Sequence, residues 1–212
     1  MTEEEARHWI RETFNVSRET EARLKAFAAL LREENERQNL VARPTLDALW
    51  SRHFADSGQL LRFAPSPRAR WIDLGTGAGF PGLIVAALHE GPVTLVEERR
   101  LRVDFLHRAA AAMGLVDKVE ILGTRVERVA PRDFDVISAR AFAPLPRLLE
   151  LGTAFSTTNT RWILPKGRNA RSELEALDPS WQGDFRLEPS LTDADAAIIV
   201  ADAVSRKGKG RK

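Results

Sequence analysis

Residues 71 to 82 read WIDLGTGAGFPG, a short apolar run followed by four glycines and a proline within eight positions. Each glycine inside regular structure costs about 0.5 to 1 kcal/mol relative to alanine, so a cluster of them is kept where a ligand or another backbone comes close. An apolar run that ends in such a turn and feeds a helix opens a βαβ unit. The rest of the chain keeps that alternation. Apolar runs at Trp71 to Leu74, Val93 to Glu97, Val119 to Leu122, Asp135 to Ala139 and Trp162 to Leu164 are separated by amphipathic stretches such as Leu101 to Met113, which Gly114 closes as a C′ residue. Alternating β and α predicts a doubly wound, mostly parallel sheet. The last two runs, FRLEPS and AAIIVADAV, have no helix between them and predict an antiparallel hairpin at one sheet edge.

The first third reads as helices instead. Thr2 to Glu5 is a capping box, and Trp9, Ile10 and Phe14 follow at helical spacing. A second helix starts near Ser17, and after Pro44 a third is predicted over Thr45 to Leu61, with Leu46, Leu49, Trp50, Phe54 and Leu60 on one stripe. The organisation expected is a helical extension over 1–63, an α/β domain over 64–205 and a flexible basic tail over 206–212. That tail, RKGKGRK, holds five basic residues; the rest of the chain carries 27 basic against 30 acidic side chains, so the body is not strongly basic. Phosphate attraction by the tail competes with the simpler reading of a solvated end. No cysteine is present, which removes disulfides, thiolate metal sites and cysteine nucleophiles. The N-terminus lacks a signal-peptide pattern, and no apolar run approaches the roughly 18 residues of a membrane span. A cytoplasmic monomer, without membrane or metal, is the expectation.

In open α/β sheets the ligand sits at the carboxyl ends of the strands, over a helix N-terminus. Read literally, Gly77 to Gly82 matches GxGxxG, so a dinucleotide is one candidate. The phase is poor, because Gly75 and Thr76 intervene between the strand and the first glycine of that pattern. The other phase, Asp73-x-Gly75-x-Gly77-x-Gly79, resembles motif I of class I S-adenosyl-L-methionine-dependent methyltransferases. It sets an acid near an ammonium and bare backbone near a carboxylate and sugar. Glu97 ends the next strand, twenty residues beyond Gly77, where a carboxylate takes ribose hydroxyls. The alternative for Glu97 is an exposed strand-end charge, as preferred for Glu98.

Absences narrow the acceptor. Methylation of pyrimidine C5 uses a cysteine, and amine methylation typically uses Asn or Asp before Pro-Pro-aromatic where this chain has ISARAFAPL. Carboxylates, hydroxyls and ring nitrogens remain. Ser57, Ser138 and His107 have no triad spacing, so hydrolase chemistry has no support.

NERQNL (35–40), RHFADS (52–57), DLGTGAGFPG (73–82), RVDFLHRAAAAMGL, RVE (125–127), ISARAFAPL and LPKG (164–167) occur in that order. Together they resemble the bacterial 16S ribosomal RNA guanine-N7 methyltransferases, the glucose-inhibited division protein B family, over about residues 35–170. The resemblance implies a class I methyltransferase fold with an N-terminal helical extension, S-adenosyl-L-methionine as cofactor, and 16S ribosomal RNA or the small ribosomal subunit as partner. It also implies cofactor contacts at Gly75, Phe80, Val126, Glu127 and Arg140, beside Asp73, Gly77, Gly79 and Glu97 of motif I and the second strand.

Other residues carry two readings. His53 and Asp56, three apart, suit a metal or an acid–base pair poorly without a third ligand, and capping is the plain alternative; with the family pattern, His53, Asp56 and Ser57 fall at the active-site rim. Asn39 is a helix C-cap locally and a substrate contact by resemblance. Arg140 follows an apolar strand, where a charge needs a partner; a ligand contact is favoured there over a structural ion pair, and Arg140 is a candidate catalytic residue together with Asp56. Lys166 is a candidate substrate contact or a solvated strand-end lysine. The rival functions are a methyltransferase for a small molecule or protein, a dinucleotide-dependent oxidoreductase, and a catalytically silent RNA-binding module.

Overall fold

In the computed structural model, which describes residues 1–208, the capping box closes as the sequence predicts. Thr2 Oγ1 accepts from Glu5 N at 3.2 Å and Glu5 Oε2 accepts from Thr2 N at 2.7 Å, starting α1 (Glu3–Thr13). Ser17 caps α2 (Arg18–Asn35). The third helix is not the one predicted. Thr45 to Leu61 breaks into a 3-10 turn at Arg43–Thr45, a π-helical turn at Trp50–Ala55, one α-turn, α3 (Asp56–Gly58), and a second 3-10 turn at Gln59–Phe63. The cause lies far away in sequence: the Glu3 carboxylate accepts from Trp50 N and Ser51 N, which frees those groups from an α-register.

The sheet follows the sequence closely. β1 (Trp71–Leu74), β2 (Val93–Val96), β3 (Val119–Leu122), β4 (Val136–Ser138) and β5 (Arg161–Lys166) are parallel. β6 (Trp181–Pro189) and β7 (Ala197–Arg206) make the edge hairpin, with β7 antiparallel to β5. The order is β3-β2-β1-β4-β5-β7-β6, so the switch point falls beside β1, where the glycine turn leads into α4 (Gly82–Leu88). α5 (Arg100–Ala112), α6 (Leu145–Gly152) and α7 (Ala170–Glu175) complete the layers. Arg206, predicted to open the basic tail, is the last residue of β7; it donates to Ser180 Oγ and Glu150 Oε1 and lies over the Trp181 ring. Lys207 N donates to Ser180 O at 2.8 Å, and residues 209–212 of that tail lie outside the described residues.

Alternation along β1 separates two cores. Trp71 faces the helical extension and α4 and α5, while Ile72 and Leu74 face α6. The extension shares the first core. Phe27 of α2 stacks on Phe54 at 5.7 Å and meets Phe80 of the glycine turn at 5.3 Å. Each such ring, fully buried, contributes about 1.5–3 kcal/mol. This aromatic seam holds the π-helical turn that carries His53, and Asp56 at the start of α3, beside the carboxyl ends of the strands.

Candidate functional site

Asp73 is the anchor of the glycine turn. At the sheet centre and fully buried, its Oδ2 accepts from Gly82 N at 3.0 Å and its Oδ1 from Ser138 Oγ at 2.8 Å; Ser138 in turn accepts from Trp71 Nε1. The carboxylate thus fastens β1 to β4 and to the start of α4, and shapes the turn from beneath. Burial pushes its carboxyl up from 3.8 to about 6, against the pull of its hydrogen bonds. Between pH 4 and 6 the folded chain therefore binds more protons at Asp73 than the unfolded chain does, and stability falls as pH rises through that window. Urea titrations of wild type and Asp73→Asn are expected to show wild type gaining on the variant as pH drops from 7 to 4, by at most about 1.4 kcal/mol per pH unit. A difference that stays constant with pH contradicts this role.

The four glycines do different things. A Cβ at Gly82 would lie 2.1 Å from Leu95 Cδ2, and one at Gly79 would lie 2.5 Å from Leu83 Cδ1, so these positions are closed by the protein's own packing. Gly77 has φ +61° and a Cβ there would meet nothing nearer than 3.7 Å. Gly77 alone of the four is both left-handed and open to the outside. Its N–H donates to Glu97 Oε2 at 3.0 Å, while Glu97 Oε1 accepts from Arg99 N at 2.9 Å. The strand-end acid, buried rather than exposed as its alternative reading required, thereby joins the loops after β1 and β2.

Two clefts open at this edge. One, about 440 Å³, lies over the loops after β1, β2, β3 and β4, with Gly75, Glu97, Val126, Glu127 and Phe142 in its wall. Val126 is buried and Glu127 is exposed, ion-paired to Arg147. The other, about 920 Å³, runs between the helical extension and the loops after β4 and β5, with His53, Asp56, Arg140, Phe142, Lys166 and Thr192 in its wall. Ala141, Phe142 and Ala143 belong to both.

In the larger cleft Arg140 donates from Nη1 to Asp56 Oδ2 at 3.3 Å and from Nη2 to His53 Nδ1 at 3.0 Å, and its guanidinium lies 5.0 Å from the Phe80 ring centre. Because an arginine only donates, His53 Nδ1 must accept, so the ring proton is on Nε2 and faces Thr45 Oγ1 at 2.8 Å. The Thr45 hydroxyl in turn donates to Ala42 O at 2.7 Å. Burial, with the charges of Arg140 and Arg52, pulls His53 down to about 3. It is neutral at pH 7 and its lone pair is occupied, so it is no general base. Asp56 Oδ1 also accepts from Gln59 Nε2 and Thr192 Oγ1, both at 3.0 Å, tying the extension to the β6–β7 loop. Lys166 Nζ donates to Glu173 Oε2 at 2.8 Å and Ala143 O at 3.3 Å, and Glu173 Oε2 accepts from Leu145 N as well.

Four predicted residues sit otherwise than expected. Ser57 is fully buried one position past Asp56, where the helical turn carries it away from the cleft, and its Oγ has no hydrogen-bond partner. Asn39 is exposed and outside both cleft walls; the asparagine that matters locally is Asn35, whose Oδ1 accepts from Leu40 N and Val41 N at 2.9 Å and so sets the loop that lines the larger cleft. A helix-ending Asn followed by a short loop is the signal for that cap. The Phe80 ring is buried in the aromatic seam. Arg140 faces the larger cleft and not the smaller one, drawn there by Asp56. Phe142 and Glu173 also line the larger cleft, and no local motif singles them out.

Residues 20–194 match the family model for rRNA small subunit methyltransferase G, GidB. The chain belongs to that family. Similar family members include the ribosomal RNA small subunit methyltransferase G of Rhizorhabdus wittichii, 53% identical over all of this chain and 98% of that one, and that of Zymomonas mobilis subsp. mobilis, 51% identical over 98% and 96%. Among solved structures the fold is similar to an O-methyltransferase from Bacillus cereus in complex with SAH (TM-score 0.58, 16% identity, 83% of this chain and 90% of that one). It is also similar to the ribosomal protein L11 methylase of Lactobacillus delbrueckii subsp. bulgaricus (TM-score 0.55, 19% identity, 72% and 78%). The fold is that of a class I methyltransferase, and family membership makes the chain a methyltransferase. Among the described residues no helix is long and apolar enough to cross a membrane, and no group of three or more His, Asp or Glu is placed to hold a metal ion.

Proposed function

We propose that the chain transfers a methyl group from S-adenosyl-L-methionine to guanine N7 of 16S ribosomal RNA, with the cofactor in the smaller cleft and the base in the larger. The observation that carries this reading is the junction: the two clefts share Ala141 to Ala143 as a wall, beside the motif I turn, so a donor in one meets an acceptor in the other. The smaller cleft suits the cofactor, because Gly75 and the Glu97 carboxylate are in its wall and the turn at Gly77, which Glu97 holds, has open space at its Cβ position. Family relatives named for small-subunit ribosomal RNA support the acceptor.

When bound, S-adenosyl-L-methionine supplies a methyl group on a sulfonium, which the in-plane lone pair of N7 takes without losing a proton. No base is then needed, in keeping with a neutral, occupied His53. Gly75 and Gly77 present backbone, Glu97 holds the ribose hydroxyls, and Val126 and Glu127 edge the adenine end. Asp73 and Gly79 keep the turn in shape. In the larger cleft Asp56 sets a carboxylate near the positive charge that the purine gains, and preorganised charge of this kind lowers the barrier without reorganisation. Arg140 holds Asp56 in place and, with Lys166, offers donors to the base or its phosphate.

Calorimetry with S-adenosyl-L-methionine, S-adenosylhomocysteine and NAD tests the cofactor: binding of the first two and not the third is expected, and the reverse favours an oxidoreductase. Glu97→Ala is expected to weaken S-adenosyl-L-methionine by about 1 to 3 kcal/mol, the range for a lost charged hydrogen bond. Glu97→Gln, which keeps one carbonyl oxygen for Gly77 N, should lose less. An unchanged dissociation constant in both variants removes Glu97 from the cofactor site.

A further inference from the structure

Phe142 occupies an odd place. Its ring lies so close to Gly75 that a Cβ on that glycine would sit 2.1 Å from Phe142 Cδ2, and its side chain lines both clefts. The segment that carries it is clamped on either side. Before it, Arg140 is held by Asp56 and His53. After it, Lys166 holds Ala143 O and Glu173 holds Leu145 N. Between the clamps, Ala141 has φ +51°, a conformation that an L side chain adopts at a cost. A ring on a two-residue pivot between fixed points has few places to go, and the adjoining space is the larger cleft.

We infer that Phe142 is a positioning residue, a movable partition that covers Gly75, gives way when the cofactor arrives, and turns its ring into the larger cleft as the face on which the target base stacks. This rests on the proposed cofactor site, because Gly75 is the surface for which ring and cofactor compete. A binding site that is open only part of the time has its apparent affinity reduced by that fraction. With the uncovered state populated at about one part in ten, the upper end of the range for a minor conformer, removal of the ring tightens cofactor binding about tenfold. Loss of a stacking face acts the other way on RNA, since aromatic stacking on bases is a large, sequence-tolerant part of binding an unpaired nucleotide.

Calorimetry with S-adenosylhomocysteine and steady-state methyl transfer to 30S subunits separate these effects. Phe142→Ala is expected to bind S-adenosylhomocysteine about tenfold more tightly and to raise the KM for RNA about tenfold. Phe142→Leu, which keeps an apolar side chain against the core, is expected to raise that KM as well, and Phe142→Tyr to restore it. Unchanged or weaker S-adenosylhomocysteine binding by Phe142→Ala, or an unchanged KM in both ring-deleted variants, overturns the inference. A wild-type chain that binds no S-adenosylhomocysteine overturns the cofactor assignment itself, and this inference with it.

Discussion

Arg140→Ala is expected to fold, to bind S-adenosyl-L-methionine with unchanged affinity, and to transfer methyl at saturating RNA on the order of a hundredfold more slowly, the usual loss when one preorganised charged contact is removed. Folding survives because Asp56 keeps Gln59 and Thr192 as donors when the guanidinium is gone. The cost is a cation–π contact with Phe80, about 0.5–1 kcal/mol at a partly exposed site, and a donor to His53. The chemistry suffers because the Asp56 oxygen that faced Arg140 is no longer fixed, and the cleft loses its placed donor. Arg140→Lys keeps the charge without the fork that reaches Asp56 and His53 together, so an intermediate rate is expected. Single-turnover rates beside thermal melts decide it. Full turnover in Arg140→Ala removes the residue from the site.

Gly77→Val is the second large effect, and its contrast with Gly82→Val is the point. At Gly77 the left-handed backbone costs a β-branched residue about 1–2 kcal/mol, but the side chain enters open space. At Gly82 the new Cβ meets Leu95 and Asp73 inside the core. The expectation is a Gly77 variant that melts a few degrees lower and binds no cofactor by calorimetry, and a Gly82 variant that is much less stable. Undiminished cofactor affinity in folded Gly77→Val ends the motif I assignment.

Most of the sheet was legible because its signals are local. Short apolar runs, a capping box at Thr2, Gly114 after α5 and a helix-free final pair of strands each act over a few residues, and each formed as read. The third helix failed because its geometry is set by Glu3, 47 residues before Trp50. The site shows the same division. Asp73, the glycines and Glu97 lie within one βαβ unit, where spacing alone can single them out, whereas the Arg140–Asp56 contact spans 84 residues and the sequence favoured a ligand over an ion pair for Arg140. Asn39 and Ser57 lie outside both cleft walls although their neighbours Leu40 and Asp56 line the larger one: a motif names a stretch, and which of its side chains faces the cleft depends on packing.

The central claim is tested most directly by incubating the full chain with tritiated S-adenosyl-L-methionine and 30S subunits lacking the modification, digesting the RNA, and identifying the labelled nucleoside by chromatography and mass. The label is expected in 7-methylguanosine from 16S ribosomal RNA. Label in protein, in a small molecule, or in a base methylated at any other atom contradicts it.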